Sequence, residues 1–501
     1  MNSQQNRKIG SVINMINMIV SLLLGLIYTP ILIKYLGDSE YGIYTLAISL
    51  IAYLSILDLG FGNALVRYTA RVRAKGEDER DLIGMFLVLY SIVSVIAAAI
   101  GIVVYYNMEA FFSTSITENE AGTLRVVYII MLINTVIAFP ASVFSSIIRS
   151  HEKFVFSNLI NTLKKLLSHV IMIILVIIGF KSTALAFLSL IATLIVLIIN
   201  LYYCFTKLEI KIGFKKFDRD FYKEVLVYSA FILLNIIVDQ LYANTDKIIL
   251  GKYCGSIAVA IYGVGVTFQQ YYQEFSTSIS SVFFSHVSKL SVKQNAIEEM
   301  SGTFIRIGRI QLILLSFVAI GFAAFGKEFV NLWVGNGYDD AYYIALIIMI
   351  PSLIPLSQNI GISILQALNR HQTRAVMYLV IAIINVLLSI PLAIRFGGVG
   401  SAIGTAVGLF LGEILFMNWY YWKKIGIDIP LYWKNTITLV LKLIPVLLVF
   451  LVTAQIRLQG WIGLVVKALA AIVLIIPYYY FLVLNSDEKR LVNTLCKKIV
   501  K

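Results

Sequence analysis

Four polar side chains recur along one face of an apolar stretch near the middle of the sequence. They stand at steps of four, three and four residues, a spacing that places them on one side of an α-helix. An ionisable group inside a long apolar helix is costly in lipid and usually faces a cavity or a partner. The stripe therefore predicts a site for a polar ligand or an ion. Its members are Asn235, Asp239, Tyr242 and Asp246.

The two carboxylates of this stripe differ in depth. Asp239 lies more than two turns inside its apolar run, where an exposed carboxylate would cost roughly 2.5 to 3.5 kcal/mol on insertion scales. We therefore expect Asp239 to bind a coupling proton or Na⁺. Asp246 stands nearer the end of the run, where it either belongs to the same site or forms a solvated interfacial pair with Lys247.

Neighbouring apolar stretches carry matching polar faces. Gln270 and Glu274 are four residues apart, as expected of a helix that walls a water-filled path. Asn17 in the first stretch superposes on Asn235 when the chain is shifted by 218 residues. Asp58 in the second stretch either joins the same vestibule or is a helix-end or packing residue. Together these stretches predict a central polar vestibule.

Two adjacent lysines, Lys164 and Lys165, lie inside another apolar stretch, and their role depends on where its helix begins. A start at Phe154 puts Lys164 about 15 Å deep at 1.5 Å per residue, where a cation would bind an anionic headgroup. A start nearer Leu166 would let both lysines snorkel at the interface. The deep placement is favoured, because a start at Leu166 leaves only 15 residues before Lys181.

The elements that must position these residues are membrane-spanning helices. The chain is 59% hydrophobic and only 14% charged, which is far from ordinary soluble composition. A helix that crosses a hydrocarbon core of about 30 Å needs roughly 20 apolar residues, so the sequence predicts an all-α integral membrane protein of about fourteen spans. The candidate spans cover residues 9–33, 40–62, 82–106, 122–147, 155–180, 183–205, 222–249, 256–284, 304–326, 340–367, 372–394, 399–420, 435–455 and 461–483.

Basic residues cluster in the loops that follow the even-numbered spans and in the C-terminal tail. The net charge of +14 comes from residues that flank apolar runs, whereas a nucleic-acid-binding domain interleaves them with aromatics in a polar region. Cytoplasmic loops carry the excess of Lys and Arg. Both termini are therefore predicted to be cytoplasmic, and no nucleic acid is expected as a partner.

The sequence repeats itself in one orientation. Lys34–Gly37 recurs as Lys252–Gly255 at an offset of 218 residues, and Phe180–Ser189 resembles Phe396–Thr405 at an offset of 216. Six spans separate the members of each pair, so the two halves are parallel, and a substrate site is expected between them near the midplane. The predicted parts are a six-helix bundle over 1–210, a second over 211–425, and two further helices with a cytoplasmic tail over 426–501.

Glycines recur every four residues at Gly400, Gly404, Gly408 and Gly412. Small residues at this spacing let helix backbones approach closely. The series predicts tight helix packing in preference to substrate contact.

Residue sets typical of catalysis are absent from the sequence. There is no phosphate-binding GxxxxGK loop and no GxSxG elbow, and the four histidines and three cysteines lack the spacing of metal ligands. We expect neither an enzyme nor a tightly bound cofactor or metal. A membrane glycosyl transferase would need a substantial catalytic loop, and the longest loops, near residues 63–81 and 206–221, are short and basic.

Two segments resemble the start of each half of a known family. The segment TPILIKYLGDSEYGIYTLAISLIAYLSILDLGFGNALVRYTA, Thr29–Ala70, looks like the opening of bacterial polysaccharide repeat-unit flippases. These form the Wzx-like group of the multidrug/oligosaccharidyl-lipid/polysaccharide exporter superfamily. Asn244–Gly265 is similar to the start of that family's second half.

The resemblance implies a twelve-helix, V-shaped core of the MATE type with two peripheral helices and alternating inward and outward openings. It also implies an undecaprenyl-diphosphate-linked oligosaccharide as cargo, moved across the bacterial cytoplasmic membrane for surface polysaccharide and powered by an ion gradient or potential. Membrane lipid and other polysaccharide-assembly membrane proteins are then the expected partners. The alternatives are a cation-coupled multidrug antiporter of the same superfamily and a flippase for the peptidoglycan lipid precursor.

Overall fold

The computed structural model describes residues 23–214 and 219–499, which form helices joined by short turns, with no β-strand among them. Asn17, predicted to line the vestibule, lies outside the described residues. The helices are α1 (Leu23–Leu36), α2 (Asp38–Leu54), α3 (Phe61–Ala74), α4 (Arg80–Phe112), α5 (Glu118–Ser150), α6 (Phe154–Ile177), α7 (Ser182–Thr206), α8 (Arg219–Tyr253), α9 (Ser256–Leu290), α10 (Ala296–Val334), α11 (Asp339–Ser357), α12 (Ile360–Ala367), α13 (His371–Leu409), α14 (Met417–Tyr420), α15 (Ile429–Ala454), α16 (Gly460–Tyr478) and α17 (Ser486–Ile499). Wider π-helical turns at Phe410–Phe416 and Tyr421–Ile425 flank α14, and another follows α16 at Tyr479–Val483.

Eleven of the described helical segments are long and apolar enough to cross a membrane, so the chain is a multi-pass integral membrane protein. The predicted all-α membrane class is confirmed. The predicted total of fourteen spans is not confirmed, because α1 is described only from residue 23, the polar α9 is not among the eleven, and one segment over Gln372–Ile425 covers two predicted spans.

The strongest sequence repeat has one backbone conformation in both of its copies. Gly37 has a φ of 83° and Gly255 a φ of 87°, in the region that glycine adopts most easily. A helix begins directly after each glycine, α2 at Asp38 and α9 at Ser256. The repeated motif therefore encodes the same turn between two helices, used twice.

Contacts divide the chain into two compact units. The first unit comprises Met1–Val264 with Ala375–Thr405, and the second comprises Gly265–Arg374 with Ala406–Lys501. The segment 375–405 therefore packs with the first unit although it follows most of the second in sequence. The predicted division at residues 210 and 425 stays a prediction.

In the first unit, α3, α4 and α5 share an aromatic core. Phe61, Phe86 and Tyr90 are at most 2% exposed. The Phe61 ring lies edge-on to Phe86 and to Tyr90, with ring centroids 6.2 and 5.8 Å apart, an arrangement that stabilises aromatic pairs. This core fixes the start of α3, where the second predicted span resumes after a short 3₁₀ turn at Ser55–Asp58.

In the second unit, α10, α15 and α16 share an apolar core. Leu312 of α10, Leu439 of α15 and Ala471 of α16 are buried in it together. The Lys467 ammonium of α16 donates to the Glu328 carboxylate of α10, and Lys467 is only 3% exposed. Because a buried charge without its partner is strongly destabilising, this ion pair holds the last membrane helix against α10.

The long helix α13 turns back on itself at Gly397, where φ is 59° and ψ is −139°. A Cβ atom on Gly400 would lie 1.9 Å from the Leu392 carbonyl oxygen, and one on Gly404 would lie 2.5 Å from Ser389 Oγ. The arms before and after the turn are therefore in backbone contact. This is the packing role that the glycine series predicts for Gly400 and Gly404.

Candidate functional site

Asp246, near the end of α8, is a buried carboxylate, with only 3% of the residue exposed. The Tyr262 hydroxyl of α9 donates to its Oδ2 at 2.5 Å, Thr405 Oγ1 donates to Oδ2 at 2.7 Å, and Ser401 Oγ donates to Oδ1 at 2.8 Å. Three hydroxyl groups thus replace water around the carboxylate, which is what burial of a charge requires. Asp246 is therefore not a solvated interfacial residue.

The two arms of α13 supply the polar groups that face α8. Ser401 and Thr405 are four residues apart and share one face of the arm after Gly397. On the arm before it, Ser389 Oγ donates to Asn385 Oδ1 at 3.0 Å, and Asn385 Nδ2 lies 3.4 Å from Thr405 Oγ1. These four residues are at most 7% exposed, so the two arms and α8 enclose one polar cluster.

The oxygen atoms of this cluster suit a small, hard cation. A carboxylate, alcohol and phenol oxygens and an amide oxygen converge from α8, α9 and α13, and oxygen ligands of this kind are the ones that such cations prefer. A single carboxylate balances the charge of one monovalent ion or of one proton. The described residues contain no group of three or more His, Cys, Asp or Glu side chains able to hold a metal ion.

We name this group of side chains the Asp246 cluster. It consists of Asp246, Tyr262, Asn385, Ser389, Ser401 and Thr405.

Five of these six residues were not among the predicted site residues. A signal for them exists in the sequence, because Asn385 with Ser389 and Ser401 with Thr405 are polar pairs at a spacing of four inside apolar runs. Such pairs mark one helical face. What brings the two pairs together is the turn at Gly397, which periodicity does not reveal.

The other members of the predicted stripe are more open than Asp246. Asn235 and Asp239 are exposed, and Tyr242 is half-buried, so α8 passes from an open polar face into a buried one towards its C-terminal end. In the second unit, Gln270 and Glu274 of α9 are also exposed. The role of these residues in binding stays a prediction, and the two polar faces are present as the sequence indicated.

Lys164 and Lys165 have different surroundings. Their helix, α6, begins at Phe154, which is the start that places Lys164 deep in its span. Lys164 Nζ donates to Thr193 Oγ1 of α7 at 3.2 Å and is half-buried, whereas Lys165 is exposed. Lys164 is thus directed between two helices of the first unit, and Lys165 lies on the surface of α6.

The repeat offsets lead from the Asp246 cluster to a second polar group in the first half. The offset of 218 maps Asp246 onto Tyr28, and the Tyr28 hydroxyl donates to Met172 Sδ at 3.1 Å. The offset of 216 maps Asn385 onto His169, whose ring centroid lies 4.8 Å from that of Tyr28. The equivalent position in the first half therefore holds a phenol beside an imidazole where the second half holds a carboxylate.

Asp58 lies in the 3₁₀ turn between α2 and α3, where Leu59 and Gly60 have φ values of 53° and 71°. The Tyr90 hydroxyl of α4 donates to Asp58 Oδ1 at 2.8 Å, and the Arg149 guanidinium of α5 is an electrostatic partner. These contacts tie three helices together at a break in the chain. They match the packing alternative for Asp58, and a role in ligand binding stays a prediction.

Glu120 of α5 joins the starts of α2 and α9. Its Oε1 accepts hydrogen bonds from Ser39 Oγ and from Ser256 Oγ, the latter at 2.5 Å. A Cβ atom on Gly42 would lie 1.9 Å from the Ser256 carbonyl oxygen, so only glycine permits the two helix starts to meet. The first and second repeats are thus in contact through these residues. We name Ser39, Gly42, Glu120 and Ser256 the clasp.

These features define a class of protein. It is a multi-pass, all-helical membrane protein with a parallel internal repeat and a buried carboxylate in the second copy of that repeat. The chain belongs to the polysaccharide biosynthesis protein family, which matches residues 8–291, more than half of its length. The resemblance to the Wzx-like polysaccharide flippases of the multidrug/oligosaccharidyl-lipid/polysaccharide exporter superfamily is thereby confirmed. The chain is a membrane transporter of the flippase type.

Similar proteins agree with this assignment. A Shigella flexneri protein named as an O-antigen transporter is 23% identical over 432 residues, which are 83% of this chain and 98% of that protein. The structure of the lipid II flippase MurJ in an inward closed conformation superposes with a TM-score of 0.70 at 15% identity, covering 94% of this chain and 97% of that one. An inward-facing MATE family transporter has a TM-score of 0.64 at 15% identity, covering 85% and 99%. At these identities the two structures establish the fold.

Proposed function

We propose that this protein moves an undecaprenyl-diphosphate-linked oligosaccharide repeat unit across the bacterial cytoplasmic membrane, for assembly of a surface polysaccharide. The observation that carries the proposal is membership of the polysaccharide biosynthesis family over residues 8–291. The O-antigen transporter named among its relatives points to the same class of cargo. The sugar headgroup and diphosphate would pass along the polar faces of the helices while the polyprenyl chain stays in lipid.

The open polar faces of α8 and α9 support a wetted path. Asp239 and Glu274 are exposed near the middle of helices that are 35 residues long. A carboxylate at that depth is costly against hydrocarbon, so its exposed side is expected to face water or polar cargo. Among the predicted cations, Lys164 is directed between α6 and α7, whereas Lys165 lies on the surface of α6, so Lys164 is the cation that we propose to contact the diphosphate.

Alternating access fits the contact between the two repeats. If both termini are cytoplasmic, as the basic loops predict, the clasp lies at the outer side of the membrane. A clasp that joins the starts of α2 and α9 keeps the outer side of this pair of helices shut. Transport would then require the Glu120 hydrogen bonds to Ser39 and Ser256 to break and re-form in each cycle.

The Asp246 cluster is the proposed coupling site, for Na⁺ or a proton. Binding of either ion neutralises the carboxylate and releases the hydroxyl groups of Tyr262, Ser401 and Thr405 from donating to it. Because these groups lie on α9 and on the arm of α13 after Gly397, a change in their hydrogen bonds changes the packing of helices that belong to the second repeat. Ion binding and helix position are thereby linked.

The decisive experiment deletes the gene in its source bacterium and follows the lipid-linked repeat units. We expect them to accumulate on the cytoplasmic leaflet while surface polysaccharide disappears, and wild-type protein to restore both. Asp239→Asn and Asp246→Asn should insert in the membrane but fail to restore transport, whereas Asp340→Asn, a change at an exposed residue, should restore it fully.

Two results would overturn the proposal. Normal surface polysaccharide with altered sensitivity to cationic drugs would identify a multidrug antiporter, the alternative to which the MATE likeness belongs. Lethal loss with accumulated peptidoglycan precursor would identify a flippase for that lipid, as in the MurJ comparison. Full activity of Asp246→Asn would remove the Asp246 cluster from the mechanism without affecting the identity of the cargo.

A further inference from the structure

A cleft of about 290 Å³ lies in the second unit where α10, α15 and α17 meet. Its lining combines two basic and two acidic residues with two asparagines and a few apolar side chains. Mixed charge in a confined cleft is unlike a lipid-facing groove, which is apolar throughout. The polar lining consists of Arg306, Arg309, Asn435, Asn485, Asp487 and Glu488.

One wall of the cleft is a rigid, satisfied ion pair. Arg309 Nε donates to Glu488 Oε1 at 2.8 Å, and Arg309 Nη2 donates to the Val483 carbonyl oxygen at 2.8 Å. Glu488 also accepts from the Asn485 backbone N–H at 2.7 Å. The two charged side chains are only 16% and 10% exposed. This pair fixes the start of α17 against α10 and leaves neither charge available to a ligand.

The remaining charges of the cleft are open. Arg306 lies one turn before Arg309 and is exposed, and Asp487 is exposed at the start of α17. Among the ion pairs of residues 23–214 and 219–499, Arg309 has a partner while Arg306 and Asp487 have none. The cleft therefore offers one free cation and one free anion, and its charged residues balance to zero. A purely anionic ligand would meet Asp487 as well as Arg306.

We expect the cleft to lie at the level of lipid headgroups. Helix α10 has 39 residues and is therefore about 58 Å long at 1.5 Å per residue, well beyond a hydrocarbon core of about 30 Å. Part of the helix must therefore extend past the core, and we expect this part to include its first turns; Arg306 and Arg309 lie in the third and fourth turns. Leu431 and Ile305 line the same cleft and give it an apolar side.

We propose that this cleft binds the headgroup of an aminophospholipid, with the phosphate on Arg306 and the ammonium on Asp487. A guanidinium forms paired hydrogen bonds with phosphate oxygens, and a primary ammonium supplies N–H donors that a carboxylate accepts. Phosphatidylethanolamine carries both groups. Phosphatidylcholine lacks N–H donors, and phosphatidylglycerol lacks the cation, so each should bind more weakly. The site is independent of the transported cargo.

The test measures lipid preference on the purified full chain. Thermal unfolding is followed in detergent as phosphatidylethanolamine, phosphatidylcholine or phosphatidylglycerol is added, and bound lipid is counted by native mass spectrometry. We expect phosphatidylethanolamine to stabilise the protein at a concentration about 10-fold lower than either of the others. Arg306→Gln and Asp487→Asn should each abolish the preference, while the exposed-residue controls Arg395→Gln and Asp340→Asn should keep it.

Three results would contradict the proposal that the cleft binds an aminophospholipid. Equal response to phosphatidylglycerol would show a purely anionic site and overturn the proposal, as would an unchanged preference in Arg306→Gln. Stabilisation by soluble glycerophosphoethanolamine as strong as that by the lipid would also overturn it, since the ligand would then not be a membrane lipid. Some variants could have a lower unfolding temperature even without lipid. For these, the test compares the stabilisation by phosphatidylethanolamine with that by the other two lipids, a ratio that a merely structural defect leaves unchanged.

Discussion

The Tyr262 hydroxyl donates to Asp246 Oδ2 at 2.5 Å, across the interface of α8 and α9 within the first unit. Both residues are almost fully buried. The phenol and the carboxylate stand in the second copy of the internal repeat, and Ser401 and Thr405 complete the shell from α13. The position of α9 beside α8 is therefore coupled to the charge of one carboxylate.

Tyr262→Phe should weaken ion binding while keeping the packing volume. The change removes one oxygen from the proposed ion shell, and a phenyl ring cannot coordinate a hard cation. We expect the Na⁺ concentration for half-maximal thermal stabilisation to rise at least 10-fold. Tyr106→Phe, at a tyrosine that is 73% exposed, should leave it unchanged. A Na⁺ response equal to that of the wild type would exclude the phenol as a ligand.

A disulfide across the clasp should stop transport reversibly. Ser39 Oγ and Ser256 Oγ are 3.4 Å apart, so cysteines at both positions would bring their sulfur atoms near each other. In a background without Cys204, Cys254 and Cys496, oxidation of the Ser39→Cys/Ser256→Cys protein should reduce transport more than 10-fold, and a reductant should restore it. Either single cysteine is the control. Full transport by the oxidised pair would mean that the clasp stays closed throughout the cycle.

Gly404→Ala should destabilise the turn-back of α13. The added Cβ would lie 2.5 Å from Ser389 Oγ and 3.0 Å from its Cα, and overpacking of this kind typically costs about 1 to 3 kcal/mol. Gly122→Ala is the matched control, because a Cβ there meets nothing within 4 Å and alanine favours a helix by about 1 kcal/mol. Thermal unfolding should thus shift in opposite directions. A stabilised Gly404→Ala would contradict the close approach of the two arms.

Lys467→Met should destabilise the second unit through the carboxylate that it leaves behind. Loss of a charged hydrogen-bond partner costs about 1 to 3 kcal/mol, moderated here because Glu328 is 31% exposed. Adding Glu328→Gln should recover most of the loss, since a neutral amide leaves no uncompensated charge beside position 467. Unfolding of the two single variants and the double variant measures this coupling. Strict additivity of the two changes would show that the ion pair contributes nothing.

Periodicity and composition predicted most of the helices, because apolar runs of membrane length have few other structures available to them. The repeated motif, found in the sequence as Lys34–Gly37 and Lys252–Gly255, has the same turn in both copies, since a left-handed glycine before a helix is a local feature. The glycine series predicted the close contact at Gly400 and Gly404 for the same reason. Signals of this kind depend on residues that are close in sequence, and the structure agrees with them.

The Asp246 cluster was only partly predictable. Asp246 itself stood out as a charge in an apolar helix, but Asn385 and Thr405 lie more than a hundred residues away in sequence and reach it only through the turn at Gly397. The break at Ser55–Asp58 was also missed, because an apolar run continues through it. Pairings between distant helices depend on tertiary packing, which a single sequence leaves open.

The phenol of Tyr28 occupies the place in the first half that Asp246 occupies in the second. A phenol beside an imidazole offers no permanent negative charge with which to hold a metal cation. Of the Tyr28 and Asp246 positions, only the Asp246 position can therefore retain Na⁺. If Asp246 is the coupling group, these two places together admit a single sodium ion in each transport cycle. If Na⁺ drives the cycle through Asp246 alone, Na⁺ flux measured against cargo flux should give one Na⁺ per cargo molecule.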